Sequence, residues 1–412
     1  MEPKLIDHLF RHHYGKMVSV LVRIFGLPHL ETIEDAIQDT FIKATLSWKN
    51  NTPQNPEAWL TQAAKNRVLD LFRKLTAQKK RVPHIASGID TIAIQELFLD
   101  TEIEDSQLRM IFTACHPYLS PKDRIAFALK TVSGFSSKEI AAALLTKEET
   151  IKKRISRARA SIQKENIRFQ IPKGKALAKR LDSVMEVLYL IFNEGFHSTK
   201  KEIIVRKELC SEAMRLCKMV LNHQNTKTPK VYALFAIMCF HAARIDSKTT
   251  HDNQLLDLQH QDRSKWYFPL INLGNTAMHK AVETDTFSTY HYEAAIAAEH
   301  LKAKTFEDTN WKAILHWYEC LHKLQATPIH LLNMAVVQLQ DSRFRESYQL
   351  LQQLDPESLG QRSYLYYATV SEYHSTQKEY AEAIVHIEIA LRLVTNQQEK
   401  EYLEKKRIAL IL

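Results

Sequence analysis

The stretch that decides the fold is Pro56–Lys74, with the sequence PEAWLTQAAKNRVLDLFRK. Its proline can open a helix, because the N–H that proline lacks has no partner in a first helical turn. Apolar side chains recur at spacings of three and four and predict one buried face. They are Leu60, Ala64, Val68, Leu71 and Leu75. The polar side chains lie largely off that face, at Gln62, Asn66, Asp70 and Arg73, or on its flanks, at Lys65 and Arg67. Amides suit base edges and cations suit phosphates, so this surface fits nucleic acid, although the pattern alone also fits an ordinary amphipathic helix.

The whole chain has the composition of a helical globular protein. Its 412 residues are 45% hydrophobic and 25% charged, with only 8 Gly and 12 Pro. Three-and-four spacing is widespread and alternation is rare, which predicts an all-α fold. The first residues carry no signal-peptide pattern, and the longest apolar run, 231–240, is about half of what crosses a bilayer. We therefore expect a cytoplasmic protein with no membrane partner.

Cysteine usage points to a reducing compartment. The five cysteines are Cys115, Cys210, Cys217, Cys239 and Cys320, and they form no CxxC pair. An odd number at irregular spacing fits reduced, mostly buried thiols rather than disulfides or a zinc site.

Positive charge is concentrated in the first part of the chain. Residues 1–175 hold 28 Lys and Arg against 19 Asp and Glu, or +9, whereas residues 176–412 hold 28 of each and are neutral. The excess lies mainly in residues 65–81, with seven cations and one acid, and 152–175, with nine cations and one acid. Two such clusters look like two contacts with a polyanion. The alternative is a pair of solvated basic surfaces.

A helix over residues 31–44 precedes the opening stretch. Its predicted core stripe is Ile33, Ile37, Phe41 and Ala44. Its first half carries the acids Glu31, Glu34, Asp35 and Asp39. Taken alone, these acids are explained by solvation and by the helix dipole, with a protein partner as the alternative. The loop 47–55 that follows is rich in turn formers, and its Trp48 either stacks on an unpaired base or belongs to the core.

A second strong pattern lies at residues 136–160. Ser136 and Glu139 form a capping signature at the start of a short helix. Thr146 is predicted to cap the next helix, with Glu149 three residues later. The core stripe of that helix is Ile151, Ile155, Ala158 and Ile162, and the rest of it is basic. Two helices with a short turn and a basic second helix predict a helix-turn-helix, with a chance helical hairpin as the alternative.

With these motifs the chain resembles the extracytoplasmic-function (ECF) sigma factors of bacterial RNA polymerase. The resemblance covers about residues 1–170. It is carried by Glu34–Phe41 (EDAIQDTF), Pro56-x-x-Trp59-Leu60, Ala64-x-Asn66-x-x-x-Asp70-x-x-Arg73-Lys74, Glu139-Ile140-Ala141 and Arg154-x-x-Arg157-Ala158-Arg159. Lys74 departs from the Arg-Arg pair that is common there, which keeps the charge but loses bidentate geometry.

The resemblance implies site residues of three kinds. The polymerase-binding residues would be Asp35, Gln38, Asp39 and Phe41. The residues that read and melt the −10 element would be Trp48, Asn66, Arg67, Asp70, Arg73 and Lys74. The residues that read the −35 element in the major groove would be Lys147, Thr150, Lys152, Lys153, Arg154 and Arg157. Core RNA polymerase and promoter DNA would be the partners, and no catalytic residue, metal or cofactor is expected.

The second half of the chain resembles one ECF subgroup that has a long C-terminal extension ending in TPR-like helices. The matching pieces are Tyr189–Phe196 (YLIFNEGF), His241–Arg244 (HAAR), Gln261–Trp266 (QDRSKW) and Tyr292–His300 (YEAAIAAEH). A weak repeat follows, because 344–347 and 380–383 are 36 residues apart, close to the TPR period of about 34. Such stacks form grooves, so a protein or peptide partner is possible, with a purely scaffolding bundle as the alternative.

The predicted organisation has five parts. They are a sigma region 2 domain at 1–75, a linker at 76–104, a sigma region 4 domain at 105–170, a helical extension at 176–325 and TPR-like repeats at 326–412.

Other features of the second half favour structural roles. The acids and histidines between His241 and Asp262 fit no standard metal spacing, so we expect structural or surface roles for them. The aromatic groups Trp311, Trp317, Tyr318 and Tyr364, Tyr366, Tyr367 are interpreted as helix core rather than a ligand cage.

Three hypotheses about function follow. The first is an alternative sigma factor controlled in cis by its C-terminal half. The second is a helix-turn-helix regulator that acts without polymerase and carries a TPR-like sensing domain. The third is an unrecognised helical enzyme in the C-terminal half, which a pocket with converging titratable groups would support.

Overall fold

The computed structural model describes residues 3–48, 53–78, 100–144, 146–196, 206–250 and 256–411, without the side chains of 3–8, 11–12, 71–78 and 100–101. Within these ranges the regular structure is helical, with no strand, as the sequence predicts. The chain divides into two compact units, Met1–Ile191 and Phe192–Leu412. Within the described ranges, no helix combines the length and apolarity that crossing a membrane requires.

Three helices form the first bundle of unit 1. They are α1 (Pro3–Phe25), α2 (Leu30–Ser47) and α3 (Pro56–Gln78). Helix α3 begins at Pro56 as predicted, and the side chain of Asn55 accepts a hydrogen bond from the Ala58 N–H at 3.0 Å. The apolar stripes meet in a core that contains Val18, Leu21, Ile33, Ile37, Leu60, Ala64 and Val68. Burial of these stripes fixes which faces of α2 and α3 stay exposed.

Helices α4 (Asp100–Ala114), α5 (Pro121–Thr131), α6 (Ser137–Ala143) and α7 (Glu148–Lys164) form the second bundle of unit 1. The next helix, α8 (Lys175–Phe196), supports it through its first turns. Buried Arg124 of α5 donates to the Ser183 hydroxyl at 2.6 Å and to Glu186 at 2.9 Å. Arg180 donates to the Phe112 carbonyl of α4. Residues 180–186 are therefore part of the fold around the helix-turn-helix.

The two bundles of unit 1 touch through α1. Gly15 of α1 lies against the backbone of Val132, just after α5, and a Cβ atom at this position would lie 1.9 Å from the Val132 carbonyl oxygen. Only glycine permits so close an approach of two backbones. Arg23 at the end of α1 binds Glu102 and Asp105 of α4 at 2.6 and 3.2 Å. Unit 1 thus has a close-packed interface between its predicted region 2 and region 4.

Unit 2 continues with helical hairpins. Helices α9 (Lys207–Asn222), α10 (Pro229–Ala243), α11 (Phe268–Ala281), α12 (Thr289–Lys302) and α13 (Trp311–Leu324) come first. Helix α10 is apolar almost all round and is buried from Ala233 to Phe240, as expected of a helix inside a bundle. Gly274 lets α11 approach the Phe240 ring, which a Cβ atom would meet at 2.5 Å.

The chain ends in two hairpins with the same turn. Helices α14 (Pro328–Gln340) and α15 (Phe344–Gln353) form one, α16 (Ser363–Thr376) and α17 (Tyr380–Leu393) form the other, and α18 (Gln397–Ile411) follows. Each turn contains a residue with positive φ, Ser342 at 59° and Lys378 at 62°, which are 36 residues apart. The next helix starts two residues later in both cases. This matched geometry supports the predicted repeat.

Four cysteines are buried and all five are free thiols, as predicted. Burial raises the pKa of the Cys115 thiol to about 12.

Candidate nucleic-acid interface

The exposed face of α3 carries the amides that the sequence predicts. Asn66 and Asp70 are exposed. The Gln62 amide donates to the Asn66 side-chain oxygen at 3.1 Å, so the amino group of the exposed Asn66 side chain is the part that can donate to an external acceptor. Arg73 and Lys74 belong to α3, but their side chains lie outside the described residues.

A polar cavity of about 560 Å³ opens between α2 and α3. Its lining combines one aromatic ring with acids, amides and cations, and consists of Asp39, Thr40, Lys43, Trp59, Gln62, Ala63, Asn66, Arg67 and Asp70. Arg67 closes one side by donating from Nε and Nη2 to Asp39 at 3.2 and 2.7 Å. The cavity joins predicted −10 residues to a predicted polymerase-binding residue.

Trp48 is buried rather than available for stacking. Its side chain is 3% exposed, and its ring packs edge-to-face against Trp59 with a centroid distance of 5.2 Å. The core alternative therefore describes Trp48, and its inclusion among the −10 residues has no support in this conformation. Trp59 is half-buried and lines the cavity.

Lys65 is also buried, although the sequence placed it on the flank of the apolar face. Its ammonium group makes no hydrogen bond within the described part of the chain. The long aliphatic stem of lysine can lie along apolar surface, and here the head group is covered as well. Lys65 therefore does not contribute to the exposed cationic surface of α3.

Helix α2 presents a mixed acidic and apolar stripe. Asp35 and Asp39 are exposed, and Ile42 and Leu46 follow on the same face with 59% and 65% of their surface exposed. The sequence interpretation missed these two residues, although both fall outside the core stripe at Ile33, Ile37, Phe41 and Ala44. Exposed aliphatic side chains beside acids suit a protein surface better than DNA.

Two other residues predicted to bind polymerase occupy different positions. Phe41 is 5% exposed and packs edge-to-face on Phe10 at 4.9 Å, so its ring supports the bundle and cannot meet a partner. Gln38 is half-buried and forms a hydrogen bond with Tyr14.

Helices α6 and α7 form the predicted pair of helices with a short turn. Ser136 caps α6, accepting from the Glu139 N–H at 3.1 Å while the Glu139 carboxylate accepts from the Ser136 N–H at 2.8 Å. The prediction that Thr146 caps α7 is wrong, because Lys147 occupies the cap position and makes no side-chain cap bond. The acids Glu148 and Glu149 stabilise this helix start through the dipole instead.

The basic face of α7 is open. The predicted core stripe at Ile151, Ile155, Ala158 and Ile162 is buried, as expected. Lys147, Lys152, Lys153 and Arg157 are exposed, and Thr150 and Arg154 are half-buried. Arg157 reaches back to Asp123 of α5 at 2.8 Å, so one of its donors serves the domain itself.

Arg159, near the end of α7, has turned toward α2. It donates through Nη1 to Glu31 at 3.2 Å and through Nη2 to buried Glu34. The other Glu34 oxygen accepts from the Tyr14 hydroxyl at 3.0 Å. Burial, together with the Glu34 charge, holds the pKa of Tyr14 well above its usual range, so the phenol stays a donor.

In unit 2 the motif at 261–266 holds loops and helix ends together. Arg263 donates to the carbonyls of His300 and Ala303 at the end of α12, at 2.8 and 2.6 Å. Trp266 donates to the Ser247 hydroxyl at 2.9 Å. Asp262 caps a short 3-10 turn through the Ser264 N–H at 3.0 Å. These contacts are structural, and of the three residues only Asp262 belongs to the set for which the spacing predicts such a role.

Other acids and histidines of this segment are paired in ordinary ways. His260 lies against Asp257 at 2.5 Å, and Asp246 pairs with Lys207. Among the residues with described positions, no three His, Cys, Asp or Glu side chains converge on a metal-sized site, and His251 and Asp252 lie outside that part.

A buried cation lies beside this segment. Lys248 donates to the Phe196 carbonyl at 2.6 Å, and its ammonium is 3.7 Å from the centre of the Phe196 ring. Burial, with the nearby Arg244 charge, lowers the pKa of Lys248 to about 7.

Among the cavities of unit 2, two are lined by aromatic residues that the sequence analysis singled out. One, of about 340 Å³, has Trp311 and Tyr318 on one wall and Glu372 and Lys406 on the other. The second, of about 520 Å³, is mostly apolar and includes Trp317. The three aromatic residues also pack on the core around Ile314 and Leu315, so they serve as core and as cavity wall. Glu372 and Lys406 bind each other at 2.6 Å, which resembles a structural ion pair more than a nucleophile and its base.

Comparisons with known families agree with this geometry. Sigma-70 region 2 matches residues 9–78, and Sigma-70 region 4 matches residues 109–162. A family of unknown function (DUF6596) matches residues 180–282. The first two matches cover the helices that carry the two candidate DNA-reading faces.

Related proteins extend the comparison. An uncharacterized protein of Rhizobium meliloti (strain 1021) is 31% identical over 323 residues, which is 77% of this chain and 76% of that protein. The ECF RNA polymerase sigma factor SigE of Mycolicibacterium smegmatis is 29% identical over 157 residues, 38% of this chain and 60% of SigE. The ferric citrate uptake sigma factor FecI of Escherichia coli is 28% identical over 152 residues, 37% of this chain and 85% of FecI. No solved structure matches.

The chain therefore belongs to the sigma-70 family, as an ECF sigma factor with a C-terminal extension. It is an alternative sigma factor that directs the initiation of transcription.

Proposed function

We propose that α2 binds core RNA polymerase, that α3 reads and melts the −10 element, and that α7 reads the −35 element. The observation that carries this assignment is the exposed stripe of Asp35, Asp39, Ile42 and Leu46 in the same unit as two DNA-reading faces. A regulator that works without polymerase has no need of such a stripe. Polymerase and chromosomal DNA both lie in the bacterial cytoplasm, in line with the predicted location.

The cavity between α2 and α3 suits a base that has left the duplex. Unpairing and unstacking a base costs roughly a few kcal/mol, which contacts to the captured base must offset. Trp59 offers a ring for stacking, while Asn66 and Asp70 offer a donor and an acceptor for a base edge. Arg67 lies at the rim, where it can reach a phosphate once it leaves Asp39.

Helix α7 suits a duplex element. Its exposed lysines and arginines are spread over more than two turns, which fits contacts to phosphates on both sides of a major groove. Thr150 and Arg154 are half-buried, so neighbouring side chains restrict their conformations. A side chain with a restricted conformation is suited to select one base edge in the groove. We assign phosphate contacts to Lys147, Lys152 and Lys153, and base reading to Thr150, Arg154 and Arg157.

The C-terminal unit is proposed to regulate the sigma domains in cis and to bind a protein or peptide through its TPR-like hairpins. Residues 176–412 have no net charge. This part therefore lacks the excess of positive charge by which residues 1–175 are proposed to bind DNA. The repeated hairpins and the cavity walled by α13, α14, α16 and α18 support a sensing role.

Promoter-directed transcription with purified core polymerase tests the assignment. The full chain should form a complex with core enzyme and start transcripts at a promoter that core enzyme alone ignores. Absence of any complex would overturn the proposal. DNA binding at full strength without core enzyme would favour the core-independent regulator instead.

The truncation that tests regulation must respect α8. Ending the chain at residue 175 would remove Arg180, Ser183 and Glu186, which hold the region 4 bundle together. A chain that ends after Phe196 keeps these contacts. Unchanged promoter activity of that chain, relative to the full protein, would remove the proposal of cis regulation.

A further inference from the structure

The cavity of about 340 Å³ in unit 2 has the size of a site for a small molecule. Its walls come from α13, α14, α16 and α18, so they include helices of both C-terminal hairpins and the last helix of the chain. Sites for small molecules in proteins have volumes of about 300–1,000 Å³. The volume here lies at the lower end of that range, which suits a compact ligand better than an extended peptide.

One part of the cavity is lined by aromatic rings. Phe306 and Trp311 pack edge-to-face with a centroid distance of 5.0 Å, and Tyr318 lies on the same helix as Trp311. Burial raises the pKa of Tyr318 to about 12, so its hydroxyl stays uncharged, and it forms a hydrogen bond with Asn333. Aromatic pairs prefer edge-to-face or offset packing, and these rings leave space for one more ring of a ligand.

The other part of the cavity is charged. Lys406 of α18 donates to the carboxylate of Glu372 of α16 at 2.6 Å. Burial opposes the charge of Lys406, but the neighbouring Glu372 and Tyr402 raise its pKa above the ordinary lysine value. The cavity therefore presents a carboxylate and an ammonium group side by side.

Both charged side chains are accessible to a ligand. Lys406 is 39% exposed and Glu372 is 38% exposed, and an ion pair with this exposure contributes only about 0.2–1 kcal/mol. A ligand can therefore rearrange the pair at little cost. Tyr402, one helical turn before Lys406, donates to Asp257 at 2.6 Å and lies against the Lys406 ammonium, which is 5.3 Å from the centre of its ring. Lys406 thus keeps a second neighbour when Glu372 binds a ligand.

The spacing of these charges restricts the ligand. A molecule that binds Glu372 and Lys406 together must carry an ammonium and a carboxylate group as close to each other as these two side chains are. In an α-amino acid a single carbon atom separates the two groups, whereas in a peptide at least one peptide unit lies between the charged ends. An aromatic side chain on that same carbon would reach the rings of Trp311 and Tyr318.

We propose that this cavity binds a free aromatic α-amino acid, with its ring against Trp311 and Tyr318, its ammonium on Glu372 and its carboxylate on Lys406. This inference rests on the proposed sensing role of the C-terminal unit and names the class of ligand that is sensed. A ligand in this position contacts both hairpins and the last helix, so it stabilises the arrangement of these helices that it binds.

Isothermal titration calorimetry on the full chain tests the ligand class. The probes are L-phenylalanine, L-tyrosine and L-tryptophan, and at least one of them should bind with one site per chain. Phenethylamine and tryptamine lack the carboxylate, 3-phenylpropionate and indole-3-propionate lack the ammonium group, and L-leucine lacks the ring. Each of these should bind at least tenfold more weakly. No binding of the three amino acids, or equal binding of any one of these analogues, would overturn the inference.

Dipeptides distinguish a free amino acid from the end of a peptide. L-phenylalanylglycine and glycyl-L-phenylalanine keep the ring and both charges but place the charges farther apart. They should bind at least tenfold more weakly than L-phenylalanine does. Tighter binding of either dipeptide would mean that the cavity takes a peptide end, and the proposed ligand class would be wrong.

Substitutions locate the site. Glu372→Gln and Lys406→Met should each weaken binding of the amino acid at least tenfold, while Lys400→Met, at an exposed lysine of α18 outside the cavity, should bind as wild type does. Because the ion pair also contributes to the fold, Ala368→Leu is measured alongside, since it fills the cavity without changing a charge. Circular dichroism checks that each variant is folded. Wild-type affinity in all three cavity variants would overturn the site.

Promoter-directed transcription separates this inference from the proposed function. Saturating amino acid should change the transcript yield of the full chain and leave the chain that ends after Phe196 unaffected. If none of the amino acids binds while transcription is normal, the inference is wrong and the proposed function stands. If an amino acid binds but the full chain forms no complex with core polymerase, the site stands and the proposed function is wrong. Binding without any change in yield would confirm the site and overturn the sensing role.

Discussion

Arg67 of α3 binds Asp39 of α2 through two nitrogen atoms, at 3.2 and 2.7 Å from one carboxylate oxygen. The first residue belongs to the proposed −10 surface and the second to the proposed polymerase surface. Both side chains are about half exposed, and pairs of this kind contribute only about 0.2–1 kcal/mol. DNA or polymerase can therefore separate the two side chains at little cost. DNA that binds Arg67 leaves Asp39 available to polymerase, and polymerase that binds Asp39 leaves Arg67 available to DNA.

Reversing one charge on α2 should weaken polymerase binding. Asp35 is exposed on the proposed polymerase stripe, so Asp35→Arg should lower the affinity for core enzyme about tenfold, equivalent to about 1.4 kcal/mol. Glu104→Arg makes the same charge change at an exposed site of α4 and serves as the control. Fluorescence anisotropy with labelled sigma factor measures both. Equal affinities for the two variants would remove α2 from the polymerase interface.

Base reading and phosphate binding should separate by mutation. Asn66→Ala should cost about 1–3 kcal/mol on the preferred −10 sequence and little on a sequence altered at the contacted base. Lys153→Ala should weaken binding on all sequences and lower the salt slope of binding by about 1. Competition assays with polymerase holoenzyme over a range of salt concentrations distinguish these outcomes. A uniform loss with Asn66→Ala would mean that this amide only positions the backbone.

The cap of α6 should contribute measurably to stability. Ser136→Ala removes the hydroxyl that accepts from the Glu139 N–H, and such caps are worth about 0.5–2 kcal/mol. Urea unfolding should show this loss in unit 1. Ser136→Asp retains an acceptor at the cap and should lose little stability. If the alanine variant is as stable as wild type, the capping box is not stabilising here.

The stability of unit 2 should rise with pH just above neutrality. Lys248 has a folded pKa of about 7, below the ordinary lysine value, so between pH 7 and 8.5 the unfolded chain binds more protons at this position than the folded chain does. The free energy of unfolding should therefore increase by up to about 1.4 kcal/mol per pH unit. The ordinary cysteine pKa of about 8.5 lies at the upper end of this window, and unfolded thiols there lower the stability as pH rises, so the quantity to measure is the difference from a variant that lacks the lysine and keeps the cysteines.

Lys248→Met is the control for that pH dependence, because methionine fills similar space without titrating. Urea unfolding at pH 7.0 and 8.5 should show a smaller pH effect in the variant than in wild type. The same slope in both proteins would mean that Lys248 stays charged in the folded protein.

The spacing of apolar residues predicted the buried faces of the helices reliably. The stripes of α2, α3 and α7 were predicted from spacing alone, because burial of one helix face depends on local pattern. Spacing also placed Phe41 in the core stripe and left the core open for Trp48, but the resemblance gave both a binding role, and the burial of Lys65 was not predicted. The burial of each of these side chains depends on neighbours from another helix. A resemblance to a family implies a role for a residue, but it does not predict the conformation of that side chain. The start of α7 was also difficult to predict. The sequence predicted Thr146 as the cap, whereas the cap residue is Lys147, one position later.

The contact of Arg159 with α2 could not be predicted from sequence. Nothing in the spacing of α7 separates Arg159 from Arg154 or Arg157, since all three are basic residues outside the core stripe. Only the packing of α1 against α4 and the end of α5 brings two helices more than a hundred residues apart in sequence into contact.

The matched turns at Ser342 and Lys378 have a consequence for how this part of the chain can change in length. Each left-handed residue sits at the same point of a 36-residue unit, so duplicating or removing one whole unit leaves every hairpin with its own turn. Insertion of one or two residues inside a helix would instead rotate all later side chains away from the faces they now bury. Length differences among relatives should therefore fall into multiples of the unit, and a designed extension of the array should be built in the same step.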